Sequence, residues 1–309
     1  MFHNLGLDYK GNSEVMEVIC EHAGGVGVGL FFFLSAFGII RSYQKHGNKY
    51  LGKLIFVNIT KLYVISVLIN LLTYFVFFQG AFETQDLLMR IFNLDVFNNF
   101  NRMNRHGWYI STIIGMYLIF ALIYYLCSKL KTDKKFIIAA IILSCVAIGF
   151  RLGAHIADKG GMYTRELPTF AIGVMYATFY KQINEFFNKY FWASLIVCLL
   201  GFWIGFFALE VISTYSAALL IIVVSQRITY DNKVTLFLGK ICIGVYLFLH
   251  FSSLALQPYL SNPYWWMLLN AGFILELAVI LYGLELFIKK VFNKTKQIIC
   301  LKEKSLNTK

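Results

Sequence analysis

The chain has 309 residues, of which 59% are hydrophobic and only 14% are charged, and its mean hydropathy is +0.65. A soluble domain of this length could not bury so much apolar surface, so the composition excludes a soluble globular protein and indicates an integral membrane protein. Only three prolines and long uncharged runs favour a bundle of helices over a β-barrel, whose strands would alternate polar and apolar residues.

Apolar runs of the length that a spanning helix needs, about 20 residues, recur along the whole chain. They predict an all-α, polytopic membrane helix bundle of about nine spans, with a short fifth one: 24–41, 59–79, 108–127, 135–154, 165–180, 190–209, 212–227, 236–256 and 264–288. We predict one transmembrane domain over residues 1–289 and a basic tail over 290–309. The long connection at about 80–107 is either a functional loop or an amphipathic segment on the membrane interface.

The net charge of +12 is distributed in a way that indicates membrane topology rather than a nucleic-acid partner. Twenty of the 28 Lys and Arg residues lie in alternate connections, six lie in the other connections and two lie within spans. Positive residues collect on the cytoplasmic side, which predicts a cytoplasmic C-terminus. Nine spans then put residue 1 outside. Because the first 23 residues do not resemble a signal peptide, we expect that a first span is missing from this chain.

Several ionisable residues within the predicted spans are candidates for function, because charge is costly in lipid. Lys61, about one turn inside the second span, and Arg151 could each bind an anionic group or extend to the membrane surface. Arg165 could reach a polar cavity or cap a loop. His250 is either a hydrogen-bonded packing residue or a site residue, and Glu276 is expected to face the interior of the bundle.

His3 is a further candidate, because an external N-terminus could be the end of the missing span. A histidine at the outer end of that helix could act as a general base on a hydroxyl group, since its pKa lies near the working pH. The alternative interpretation is a disordered terminus.

Six stretches carry sequence motifs, and they follow one another in this order: 27–37 (GVGLFFFLSAF), 50–63, 108–118 (WYIS and YL), 165–173 (RELPTFAIG), 238–250 (LGKICIGVYLFLH) and 282–285. Their order and spacing resemble the membrane-bound acyltransferase family 3, the ten-span O-acyltransferases of bacterial cell-surface glycans. The chain departs from the family pattern at Ala36, where glycine is usual, and at Cys242 and Ile243. It also has lysines in place of arginines, and no proline, in the basic segment.

The resemblance implies a multi-pass acyltransferase of the bacterial cytoplasmic membrane. Acetyl-CoA would be the acyl donor, a cell-surface saccharide the acceptor and membrane lipid the surroundings, with no bound cofactor and no metal. In the family, a first span carries Arg or Lys, then ten residues, then the catalytic histidine, and His3 stands where that histidine would fall. Lys53 and Lys61 would attract the phosphates of CoA, and Arg151 and Arg165 would line the substrate path. Three further candidate site residues are Trp108, His250 and Glu276.

Two other functions compete with this interpretation. A transporter of polysaccharide or of a small molecule could use His250 and Glu276 as an ion or substrate relay, although the halves of the chain show no internal symmetry. An inactive relative that acts as a membrane scaffold would follow if the first span is truly absent, because the basic residue and histidine pair would then be incomplete.

Overall fold

The computed structural model describes residues 14–92, 107–157, 164–208, 210–228, 232–256 and 263–306. All regular structure within these ranges is helical, which confirms the prediction of an all-α fold. A π-helical turn at Leu54–Ile59 joins two of the helices. The α-helices are α1 (Glu14–His46), α2 (Asn48–Lys53), α3 (Thr60–Phe77), α4 (Thr84–Ile91), α5 (Gly107–Ser128), α6 (Lys135–Ile156), α7 (Leu167–Thr178), α8 (Tyr180–Lys189), α9 (Phe191–Ala208), α10 (Glu210–Val224), α11 (Lys233–Leu256) and α12 (Pro263–Leu306).

Six helices among the described residues are long and apolar enough to cross a membrane. A seventh span results if α8 and α9, which meet at an angle of 96°, are counted as one broken span. Helices α7 and α10 are apolar but shorter. The protein is therefore a multi-pass membrane protein, while the count of nine spans and the side of the C-terminus stay predictions.

The chain divides into two compact units, Met1–Thr229 and Tyr230–Lys309. In unit 1, α1 packs along α7 and α10, α7 also contacts α6, and α5 lies against α6 and the π-helical turn. Unit 2 is built on the pair of α11 and α12. Helix α12 continues to Leu306, so the predicted start of the tail at residue 290 falls inside a helix.

Glycine and proline mark two of the helix boundaries in unit 1. Gly47 separates α1 from α2 and has a φ of 58°, in the left-handed region that glycine adopts without strain. Pro168 lies in the first turn of α7, where its missing N–H removes no intrahelical hydrogen bond.

The segment 41–58 connects the first two predicted spans and was predicted as a loop, but it is mostly helical. Helix α2, the π-helical turn and α3 follow one another without a break. Lys61 lies thirteen residues into this helical run, and its position about one turn inside the second span stays a prediction.

The crossing of α1 and α7 depends on small residues. A Cβ atom added to Gly173 would lie 2.9 Å from the Cβ of Ala36 and still closer to the carbonyl oxygen of Phe33. Ala36 is fully buried. Small side chains on both helices thus allow the backbones to approach closely, as in other membrane helix pairs.

Helix α4 folds back along α3 instead of extending away from it. The side-chain amide of the buried Asn70 donates to the backbone carbonyls of Arg90 (3.2 Å) and Ile91 (3.0 Å). Further along, the Tyr63 hydroxyl donates to the carbonyl of Phe92 at 3.1 Å. The first part of the long connection is therefore an amphipathic helix that is hydrogen-bonded to a spanning helix. The rest of that connection, residues 93–106, lies outside the described residues.

Candidate functional site

The candidate general base, His3, lies outside the described residues, so its role stays a prediction. The other candidate residues can be located. They fall in three polar regions of unit 1 and one of unit 2, which we describe in turn.

The first region is a charged cluster that consists of Arg151, Arg165, Glu166 and Tyr215. The guanidinium Nε of Arg165 donates to Oε1 of Glu166 at 2.7 Å. The Glu166 side chain is only 1% exposed, whereas that of Arg165 is 21% exposed. A buried carboxylate is tolerated in an apolar bundle only when such a partner compensates its charge.

Three more helices enclose this ion pair. The hydroxyl of Tyr215 on α10 interacts electrostatically with both Glu166 and Arg151, the latter on α6. On α1, a Cβ atom added to Gly29 would lie 3.0 Å from Oε2 of Glu166 and closer still to the side chain of Thr214. The glycine of the first sequence motif thus makes room for the carboxylate, and the structure brings Arg151 and Arg165 into one cluster.

The second region lies on another face of α1, where two sequence motifs meet. The ring of Phe32 packs on Trp108, with 6.5 Å between centroids, and edge-on to Tyr109 at 5.0 Å. The hydroxyls of Ser35 and Tyr109 are 3.4 Å apart. Trp108 itself is buried between α5 and α1, and its role as a site residue stays a prediction.

Further hydroxyl groups lie beyond the pair of Ser35 and Tyr109, towards the end of α1. Tyr117, two turns along α5, interacts with Ser35 and lies within electrostatic range of Tyr50 on α2. Tyr50 in turn interacts with Ser42 at the end of α1. We call these five side chains, Ser35, Ser42, Tyr50, Tyr109 and Tyr117, the hydroxyl track. They form a polar line along the contact of α1 with α5 and α2.

The third region is the basic end of unit 1, formed by residues 41–53, 128–135 and 177–189. Asn48 donates to the hydroxyl of Ser128 at 3.2 Å, which ties the first of these segments to the second. Gln44 donates to the carbonyl of Ala177 at 3.2 Å, which ties it to the third. Three lysine-containing segments that are distant in sequence therefore meet at one end of the bundle.

Of the two candidate lysines, Lys53 lies within this end, on α2, whereas Lys61 lies further along the same helical run, on α3. Both side chains are exposed, and exposed lysines can attract an anionic ligand.

In unit 2, His250 is buried on α11, and the neighbouring Ser252 hydroxyl donates to the side-chain oxygen of Asn270 on α12 at 2.5 Å. Glu276 was expected to face the interior of the bundle, and within unit 2 it does not face α11. Ile274 and Ala278 form the packed face of α12, and Gly244 of α11 lies against Ala278. Glu276 lies midway between these two positions, on the opposite side of the helix, and is exposed. Within unit 2, Glu276 is therefore not buried together with His250.

A sequence model of acyltransferase family 3, described as an acyltransferase domain, matches residues 4–284. The chain belongs to acyltransferase family 3. A comparison with curated proteins and one with solved structures gave no match. The family assignment confirms the resemblance seen in the motifs and makes the chain a membrane acyltransferase. In this acyltransferase, the sequence motifs contain Arg165 and Glu166 of the charged cluster, Gly29 beside it, and four of the five residues of the hydroxyl track.

Sequence reasoning missed some of these residues. Glu166 was visible only as the neighbour of Arg165, and a carboxylate at the start of an apolar helix was the signal that could have drawn attention to it. Tyr215 and Tyr50 carry no such signal, because tyrosines are common throughout the chain, 19 in all.

Proposed function

We propose that this acyltransferase transfers an acetyl group from cytoplasmic acetyl-CoA to a hydroxyl group of a cell-surface saccharide, in the bacterial cytoplasmic membrane. The observation that carries the proposal is the hydroxyl track, which begins at the basic end and continues along α1 from Ser42 to Ser35. Such a line of hydrogen-bonding groups suits the thioester-bearing arm of CoA, which is polar and flexible.

The basic end supports the placement of the donor. Its lysines create a positive potential that attracts the phosphates of CoA, and the exposed Lys53 and Lys61 add to it. The charged cluster, on another face of α1, supports the placement of the acceptor. Arg151 and Arg165 offer guanidinium donors to the hydroxyl groups of a sugar, and the buried Glu166 holds Arg165 in place.

The reaction itself is assigned to His3 as the general base. The hydroxyl oxygen of the saccharide attacks the thioester carbonyl carbon while the imidazole takes the hydroxyl proton. A carbon–oxygen bond forms, the carbon–sulfur bond breaks, and CoA leaves as a thiolate that accepts the proton from the imidazolium. No oxidant, reductant or metal is needed for this balance.

The test is transfer of radiolabelled acetyl from acetyl-CoA to the saccharide fraction in membranes that contain the chain. The wild-type protein is expected to label the saccharide, and His3→Gln to abolish labelling. His155→Gln is the matched control, because His155 is an exposed histidine at the end of α6. The proposal is wrong if the wild-type protein transfers no label, or if His3→Gln transfers as much as the control.

A further inference from the structure

A cavity of about 350 Å³ opens at the basic end of unit 1, between the end of α1, the end of α5 and the start of α6. Its size falls within the range of small-molecule sites, roughly 300–1,000 Å³. We call it the aromatic cavity. It is lined by Tyr43, Gln44, Gly47, Tyr124, Cys127, Ser128, Lys135, Phe136 and Ala139.

Three aromatic rings form one wall of the cavity. Tyr43 lies nearly parallel to Phe136, at 12° and with 6.4 Å between centroids. Tyr124 meets Tyr43 edge-on at 4.8 Å and Phe136 edge-on at 5.6 Å. Aromatic faces and edges in this arrangement can stack against a planar heterocycle, as they do with the bases of nucleic acids.

One hydroxyl group in this wall has no protein partner. The Tyr124 side chain is 1% exposed, and its hydroxyl makes no hydrogen bond with any of the described residues. By contrast, the hydroxyl of the neighbouring Tyr43 donates to the side-chain oxygen of Asn48 at 2.8 Å. Buried hydroxyls are nearly always hydrogen-bonded, so a polar atom of a ligand is the natural partner for Tyr124.

The rim of the cavity is positively charged. Lys135 lies on it, and three more lysines precede it in the connection from α5 to α6, together with one aspartate. Lys135 is also the first residue of α6, whose start carries no side-chain cap. The N-terminus of a helix attracts anions, because its free N–H groups and its dipole both favour negative charge.

We propose that the aromatic cavity binds the 3′-phosphoadenosine end of the acyl donor. The adenine ring packs against Tyr43 and Phe136, the Tyr124 hydroxyl bonds to a polar atom of the nucleoside, and Lys135 with the start of α6 holds a phosphate. The assignment rests on the proposed function, since acetyl-CoA is the donor only in that proposal. It names a donor pocket different from the exposed Lys53 and Lys61.

The test uses adenosine 3′,5′-bisphosphate, the nucleotide part of CoA, and the purified full chain in neutral-lipid nanodiscs. Tyr124→Phe removes only a hydroxyl that no described residue needs, so the variant should fold as the wild type does. The dissociation constant for the bisphosphate is expected to rise about fivefold, the value of one ordinary hydrogen bond. Lys135→Gln is expected to raise it by a similar factor and to make binding less sensitive to salt.

Two controls accompany these variants. Tyr125→Phe changes the next tyrosine, which is exposed and does not line the cavity. Lys233→Gln changes an exposed lysine of unit 2 that is not part of the basic end. Both are expected to bind the bisphosphate within a factor of two of the wild type.

The assignment is overturned if Tyr124→Phe and Lys135→Gln bind the bisphosphate as tightly as their controls. It is also overturned if the wild type fails to bind the nucleotide in neutral nanodiscs and instead the Lys135 variant loses affinity for phosphatidylglycerol, because the cavity would then hold a lipid headgroup. Tyr124-dependent binding without any acetyl transfer would support the cavity and contradict the proposed function. Acetyl transfer together with bisphosphate binding that does not depend on Tyr124 would support the proposed function and contradict the assignment of the cavity.

Discussion

The charged cluster around Glu166 and the aromatic cavity around Tyr124 lie at two levels of unit 1, about 21 Å apart when measured along α1 from Gly29 to Tyr43. The cluster is tightly enclosed: its carboxylate is ion-paired, and Gly29 leaves no space for a side chain. The cavity has open space, and its innermost hydroxyl makes no hydrogen bond with the described residues.

This difference separates two ways of keeping a polar group in an apolar bundle. The cluster is satisfied by the protein itself, so its residues should matter for stability as well as for activity. The cavity leaves hydrogen bonding to a ligand, so its residues should matter for binding and little for stability. The predictions below test this contrast, beginning with the largest expected effect.

Replacement of Glu166 by glutamine should lower the free energy of unfolding by about 3 kcal/mol, because it leaves Arg165 beside a neutral group in a buried site. Denaturant titration in detergent would measure the loss. Asp86→Asn is the matched control, since Asp86 pairs with Arg90 at 2.8 Å but is 49% exposed. The control substitution should lower the free energy of unfolding by less than about 1 kcal/mol. Equal losses for the two variants would contradict the description of the cluster as enclosed.

Replacement of Gly173 by alanine should destabilise the protein by about 2 kcal/mol, because the added methyl group meets the backbone carbonyl of Phe33, which cannot move aside as a side chain can. The same titration would measure the effect. Gly149→Ala on α6 is the control, since its added Cβ meets nothing within 4 Å. That change should be neutral or slightly stabilising. A destabilisation common to both glycines would indicate a general helix effect instead of a close crossing.

Replacement of Tyr117 by phenylalanine should lower kcat/KM for acetyl transfer about fivefold, as expected for the loss of one hydrogen bond. The reason is that Tyr117 is hydrogen-bonded to Ser35 in the hydroxyl track. Transfer assays at several acetyl-CoA concentrations would measure it, with Tyr125→Phe on the same helix as the control. An unchanged kcat/KM would show that the hydroxyl track does not contribute to binding of the donor.

Replacement of Glu276 by glutamine should change acetyl transfer by less than about twofold, since exposed side chains contribute little. The transfer assay used for Tyr117 measures this too. A loss of tenfold or more would show that the exposed face of α12 takes part in the reaction.

The sequence predicted much of this fold because long apolar runs without proline can only be helices in lipid. Each predicted span overlaps a helix, although only six or seven helices among the described residues are long and apolar enough to cross a membrane. The segment 41–58 was misjudged because Lys45, Lys49 and Lys53 were taken as loop residues, whereas only Gly47 interrupts the helix there. Lysine has a good helix propensity, and a basic segment at a membrane surface can stay helical.

The site was less predictable than the fold. The motifs led to Arg165 and Trp108, and the structure pairs the first with Glu166 and packs the second on Phe32. The aromatic cavity could not be predicted, because it depends on how α1, α5 and α6 are rotated about their axes. Helices that are apolar all round give no periodic signal for that rotation. For the same reason the sequence could not show that Glu276 lies on the side of α12 that faces away from α11.

The most direct test of the central proposal is to measure from which side of the membrane the donor enters. Labelled acetyl-CoA would be added outside two preparations of sealed vesicles that contain the saccharide acceptor, one inside-out and one right-side-out. Because the basic end is predicted to be cytoplasmic, inside-out vesicles should label the saccharide and sealed right-side-out vesicles should not until a detergent opens them. Labelling by intact right-side-out vesicles at the same rate would contradict a donor site at the basic end.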